Sequence, residues 1–176
     1  MQFPVPLSIS LPMNAEAGHL ISRFRLVPLE KEGGFYARVW NSPERMAGGR
    51  LVASAILFLI TRDDFSALHR LGMDEIWHFH AGDPAELTML DPVAGSRVAL
   101  ALGPDVARAH VPHAIVPAGM WQGARVHPDG GGGRGWTLFG CTVFPGWDEA
   151  EFELGRRQDL LREFPSHASI VSALTR

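Results

Sequence analysis

The sequence predicts an all-β fold, an antiparallel sandwich or barrel, with helices confined to its two ends. Three observations carry that expectation. Short apolar segments follow one another closely between residues 35 and 143, and turn-forming Gly, Pro and Asp residues separate them. No helical periodicity comes between them, which argues against parallel β-α-β units. Amphipathic helical patterns occur only near the termini.

Taken in order, the first twelve residues are broken by Pro4, Pro6 and Pro12 and contain no Lys or Arg. They lack the charged start and continuous apolar centre of a secretory signal, so residues 1–13 are expected to form a flexible arm and 14–176 a single domain. Asn14 is a good helix cap, and Ala17, Leu20, Ile21 and Phe24 then fall on one face, predicting a helix over 14–25. Gly33-Gly34 stops anything helical, and Phe35 to Trp40 reads as a strand rich in aromatic and β-branched residues. Further strands are expected near Leu51–Thr61, Ser66–His69, Glu75–Ala81, Ala85–Leu90, Arg97–Leu102, His113–Val116, Gln122–Val126 and Trp136–Val143. The turns between them include Arg62-Asp63-Asp64, Gly82-Asp83-Pro84, Asp91-Pro92, Pro117-Ala118-Gly119 and a glycine-rich hairpin loop at 129–133. In the tail, Phe152, Leu154, Leu160, Leu161 and Phe164 alternate with charges and predict a helix over Glu149–Phe164. A second follows over Ser166–Leu174 after Pro165.

Composition narrows the function. With 176 residues, a sizeable core forms without metals or disulfides, and the lone Cys141 excludes an internal disulfide. The formal charge is -3, with no basic run beyond Arg156-Arg157, which argues against a nucleic-acid or anionic-membrane surface. The longest apolar stretch, Leu51 to Ile60, is about half what a membrane-spanning helix needs. A cytoplasmic setting is expected. The four glycines at 130–133 precede a strand and lack the following Lys-Ser or Lys-Thr, so they are no phosphate loop. Gly-x-Ser-x-Gly, His-Glu-x-x-His and Cys-x-x-Cys are all missing.

The chemistry concentrates in Ser66-Ala-Leu-His-Arg-Leu-Gly-Met-Asp-Glu-Ile-Trp-His-Phe-His-Ala-Gly-Asp-Pro84 and Val116-Pro-Ala-Gly-Met-Trp-Gln-Gly123. Two strands joined by a turn bring His69 and Glu75 together, and the Pro-x-Gly turn delivers Gln122 from a neighbouring strand. Strand alternation turns Glu75, Trp77 and Phe79 one way and His78 and His80 the other. Here the sequence resembles the cupin superfamily, through His69, Glu75, Gly82, Pro117 and Gly119. More narrowly it is similar to a subfamily of small single-domain cupins, through the further stretches Glu32-Gly-Gly-Phe-Tyr and Gly140-Cys-Thr-Val-Phe-Pro-Gly. The resemblance implies a cupin-type jelly roll and a homodimer, and the helical patterns add one N-terminal and two C-terminal helices.

Metal-holding members of the superfamily use three histidines and a glutamate. The resemblance places His69, Leu71, Glu75 and Gln122 at those positions. Leu71 has no donor atom and an amide oxygen is a weak substitute for imidazole. No cofactor is therefore expected, and a divalent metal, if bound, would rest on His69, Glu75 and Gln122. The alternative is an organic-ligand pocket lined by His69, Glu75, Trp77, Phe79 and Gln122, with Ser66 and Trp121 at its mouth. Arg38 and Arg125 are expected in surface ion pairs. In sugar-nucleotide epimerases with a related jelly roll, a histidine removes a proton beside a carbonyl and a tyrosine returns one. By that resemblance His69 would be the base, oriented by Glu75, and Tyr36 the proton donor. The expected function is a metal-independent isomerase or epimerase acting on a sugar or heterocyclic metabolite. A metal-dependent enzyme and a non-catalytic binding module are the alternatives. The expected partners are a small molecule and a second copy of the chain, with no nucleic acid and no membrane.

Overall fold

Two antiparallel sheets face each other in the computed structural model, which describes residues 14–127 and 133–176. The expected arm at 1–13 and most of the glycine-rich turn at 129–133 lie outside the described residues. In chain order the elements are α1 (Ala15–Phe24), β1 (Val27–Pro28), β2 (Phe35–Asn41), β3 (Ser54–Thr61), β4 (Ser66–Leu71), β5 (Asp74–Gly82), β6 (Ala85–Leu90), β7 (Arg97–Leu102), β8 (His113–Val116), β9 (Trp121–Val126), β10 (Trp136–Phe144), β11 (Phe152–Leu154), α2 (Arg157–Glu163) and α3 (Ala168–Ala173). One sheet runs β1-β2-β3-β10-β5-β8 and the other β11-β4-β9-β6-β7.

Strand alternation builds the core between the sheets. Phe58 on β3, Trp77 on β5, Phe139 and Cys141 on β10, Leu87 on β6 and Ala124 on β9 all point inward and are buried. Trp77 meets Phe58 and Phe139 edge-on, with ring centres 5.8 and 5.2 Å apart. Burying each such ring contributes roughly 1.5–3 kcal/mol. The outer faces are covered by the helices. Ala17 of α1 packs with Leu59, Trp136 and Leu138 on the six-stranded sheet. Leu160 of α2 and Phe164 just after it, with Val171 and Leu174, pack with Leu68 and Trp121 on the five-stranded one. The expected cap holds: Asn14 Oδ1 accepts from the Glu16 amide at 2.9 Å.

Four expectations need correction. The helix over 149–164 is instead a 3-10 turn at Glu149–Glu151, then β11, then α2. Phe152 and Leu154, two apart, match a strand as well as a helix, and edge pairing with Leu71 and His69 of β4 decides between them. Gly155 then ends the strand where a side chain would meet Leu160 Cδ1 at 2.5 Å. The last helix is shorter than 166–174, because Pro165 opens a 3-10 turn before α3. The long strand starts at Ser54 rather than Leu51, whose bridge partner is Arg45. Finally, β4 and β5 do not pair with each other: the turn at Gly72-Met73 carries the chain from one sheet to the other.

Candidate functional site

That crossing places His69 and Glu75 on facing sheets. His69 pairs in register with Gln122 of β9, so both point into the sandwich toward β5. Gln122 then bridges the sheets. Its Oε1 accepts from the Trp77 indole at 2.8 Å, and its Nε2 donates to Glu75 Oε2 at 2.7 Å. An indole nitrogen only donates, which fixes the amide orientation: oxygen toward Trp77, amino group toward Glu75.

A cavity of about 410 Å³ opens in front of this network. Its walls include Tyr36, Arg38 and Phe58 from β2 and β3, His69 and Leu71 from β4, Glu75 and Trp77 from β5, Cys141 from β10, and Trp147 and Phe152 from the tail. The His69 ring stacks on Phe152 with centres 5.6 Å apart, and Phe152 lies 5.6 Å from Trp147. His69 Nδ1 lies 2.8 Å from the Ala67 carbonyl, which can only accept, so Nδ1 donates there when the ring is neutral. The lone pair is then on Nε2. The ring is thus oriented by a backbone carbonyl rather than by Glu75.

One residue at the cavity was not singled out from the sequence. Glu32 is buried, accepts from Ser66 Oγ at 2.5 Å and sits 3.8 Å from His69 Nδ1. The turn that carries it depends on glycine. Gly33 and Gly34 adopt φ of 101° and 72°, and a side chain at Gly34 would meet the Leu59 carbonyl at 2.8 Å. The turn is tied to β4 by the Ala67 amide, which donates to the Glu32 carbonyl at 2.9 Å. An acidic residue directly before paired glycines and an aromatic strand was the available signal.

Burial pushes the Glu75 carboxyl up to about 7. His69 opposes this, the Glu32 carboxylate adds to it, and hydrogen bonds from Gln122 and Trp77 pull it back down. Burial also pushes the Cys141 thiol well up, with Glu75 and Glu32 adding to the effect, so it stays protonated.

Of the residues expected at the pocket, His69, Glu75, Trp77 and Tyr36 line the cavity. The others are placed differently. Gln122 lies behind Glu75, with both ends of its amide engaged. Ser66 is buried and holds Glu32. Phe79 points inward as expected but packs against the central core. Trp121 is not at the mouth: it neighbours Gln122 in the strand, so alternation turns it to the opposite face, among Leu160 and Phe164. The Arg70 guanidinium covers its ring at 4.7 Å. His80 is exposed and His78 half-buried on the outer face; burial lowers the His78 pKa, and His80 and the register partner His113 add to the effect. Arg125 pairs with Glu86 at 3.2 Å as expected, whereas Arg38 instead lines the cavity and donates to Asn41.

The residues do not suit a cupin metal centre. Leu71 offers no lone pair, and Gln122 turns an amino group toward the cavity side. Among the described residues, no three His, Cys, Asp or Glu side chains are grouped to hold a metal ion. No helix among them is long and apolar enough to cross a membrane.

A two-sheet jelly roll with polar side chains converging between its sheets defines the cupin class of barrel. The chain belongs to the family described as Cupin superfamily (DUF985), whose model matches residues 18–155. A solved structure of a Shewanella oneidensis protein is similar, at 34% identity and a TM-score of 0.83, covering 91% of this chain and 97% of that one. A hypothetical protein from Leishmania major is 32% identical with a TM-score of 0.82, covering 90% of this chain and 98% of that one. An oxalate decarboxylase of Bacillus subtilis shares the fold alone, at 14% identity and a TM-score of 0.54, covering 88% of this chain and 38% of that one. Among curated proteins, nothing matches the chain.

Proposed function

We propose that the cavity binds a small organic metabolite and moves a proton on it without a metal, as an isomerase or epimerase acting beside a carbonyl group. The observation that carries this is the convergence of Glu32, His69 and Glu75 on the wall of one cavity between the sheets. Three such groups in an apolar barrel are costly unless they serve a wet or occupied space. His69 Nε2 takes the proton from the carbon next to the carbonyl. Glu75, with a pKa near the working pH, or the Tyr36 hydroxyl gives a proton to the developing enolate oxygen. As the oxygen gives its proton back to Glu75, Tyr36 returns a proton to the carbon from the other face to complete epimerisation. With the oxygen's proton kept and the neighbouring hydroxyl's lost to Glu75, His69 delivers its proton to the neighbouring carbon to complete isomerisation. Trp77, Phe58 and Phe152 supply the apolar walls against which a sugar ring or heterocycle stacks.

Incubation with carbonyl-bearing sugars and heterocycles in D₂O tests this. Deuterium should enter the carbon beside the carbonyl, and His69→Ala should slow entry at least about a hundredfold, the usual contribution of a general base. Ligand-induced thermal shifts without exchange would favour a non-catalytic binding module. Exchange unaffected by His69→Ala and Glu75→Gln would remove these residues from the chemistry.

A further inference from the structure

The cavity is charged unevenly, and the direction of the asymmetry selects a ligand. Two of its acidic side chains lie deep, with Glu75 7% and Glu32 8% exposed, while Glu30 and Glu149 stay at the rim. Its basic side chains other than His69 stay at the rim. Lys31 is exposed and already paired with Glu149 at 2.8 Å, and Arg38 is exposed and donates to Asn41. One Glu32 oxygen accepts from Ser66, and the other accepts no hydrogen bond among the described residues. That second oxygen is not sealed from solvent, so a positive group entering the cavity can reach it and pair with it. Around these two acids stand Tyr36, Phe58, Trp77, Trp147 and Phe152, whose ring faces carry the negative lobe of their quadrupole and attract cations. Buried acid and aromatic faces therefore act in the same direction.

We propose that the ligand of this cavity is a small organic cation, a protonated amine carried on a sugar or aromatic ring. The ammonium group sits against Glu32, and the ring lies against the aromatic wall. This rests on the reading of the cavity as a ligand pocket and adds the charge class of what enters it. An anionic ligand of the same shape would bring its charge beside the Glu32 carboxylate and be rejected.

Two charge series test this by calorimetric titration in buffer containing EDTA: glucosamine, glucose and glucuronate, then benzylamine, benzyl alcohol and benzoate. In at least one series the amine should bind about tenfold or more tightly than its neutral counterpart, with the carboxylate weakest. Glu32→Gln keeps the shape and the acceptor for Ser66, with folding checked by circular dichroism. It should erase most of the amine's preference over the neutral member. A neutral or anionic member binding as well as the amine in both series would overturn the charge assignment and leave the pocket standing. Binding of none of the six would remove the pocket reading and this inference with it.

Discussion

At the scale of single residues, Glu75 shows how three effects compete over one proton. Burial raises its pKa and outweighs the donors Gln122 and Trp77 and the attraction of His69. Its pKa is then near 7 in the folded chain and 4.5 in the unfolded one. The native state holds the proton more tightly, so this contribution to stability is fully present below pH 4.5 and is lost as pH rises through 7. The full loss is at most about 3 kcal/mol. In Glu75→Gln the titrating group is gone. Melting temperatures of wild type and variant measured from acid to mildly alkaline pH should therefore diverge, with the variant gaining relative stability above pH 5. A constant difference across that range would mean that Glu75 titrates like an exposed carboxylate.

The end of β5 shows how much a single element depends on backbone geometry. Gly82 has φ of 101°, and a side chain there would lie 2.3 Å from the Trp136 carbonyl. The next residue, Asp83, donates from its amide to that same carbonyl at 2.8 Å and accepts from the Gly135 amide at 2.8 Å. Gly82→Ala is expected to cost at least about 1–3 kcal/mol from backbone strain alone, read as a lower urea midpoint at unchanged slope. Alternation within β5 was legible: Glu75 and Trp77 inward, His78 and His80 outward. Alternation in β9 is equally legible and separates Trp121, on the outer face, from Gln122, on the inner one. β11 was not legible, because Phe152 and Leu154 satisfy either period, and only the open edge of β4 turns them into a strand.

Across the whole molecule, the C-terminal segment braces the turn that carries Glu32. Arg176 donates to Asp64 Oδ1, to the Phe65 carbonyl at 3.0 Å and to the Glu32 carbonyl at 3.4 Å. Its guanidinium also lies 4.4 Å from the centre of the Phe65 ring. Asp64 in turn accepts from the Gly34 amide at 2.7 Å, so the tail, the β3–β4 turn and the Glu32 turn form one connected group. Arg176→Ala should change global stability by only about 1 kcal/mol, as for a partly exposed pair. Amide hydrogen exchange at Gly34 should nevertheless speed up markedly while the core of β3 remains protected. Unchanged exchange at Gly34 would mean that the brace does not hold the turn.

The sequence by itself determined most strands between residues 35 and 143, the N-terminal helix, the turn positions and the shared face of Glu75 and Trp77. All of these follow from local rules: turn chemistry, strand alternation and helical spacing act over a few residues. Only the tertiary structure decided that β4 and β5 belong to opposite sheets, that Gln122 is spent on Trp77 and Glu75, and that Glu32 reaches the cavity. Those outcomes depend on groups 34 to 47 positions apart competing for the same space and the same hydrogen bonds, and no local pattern records who wins.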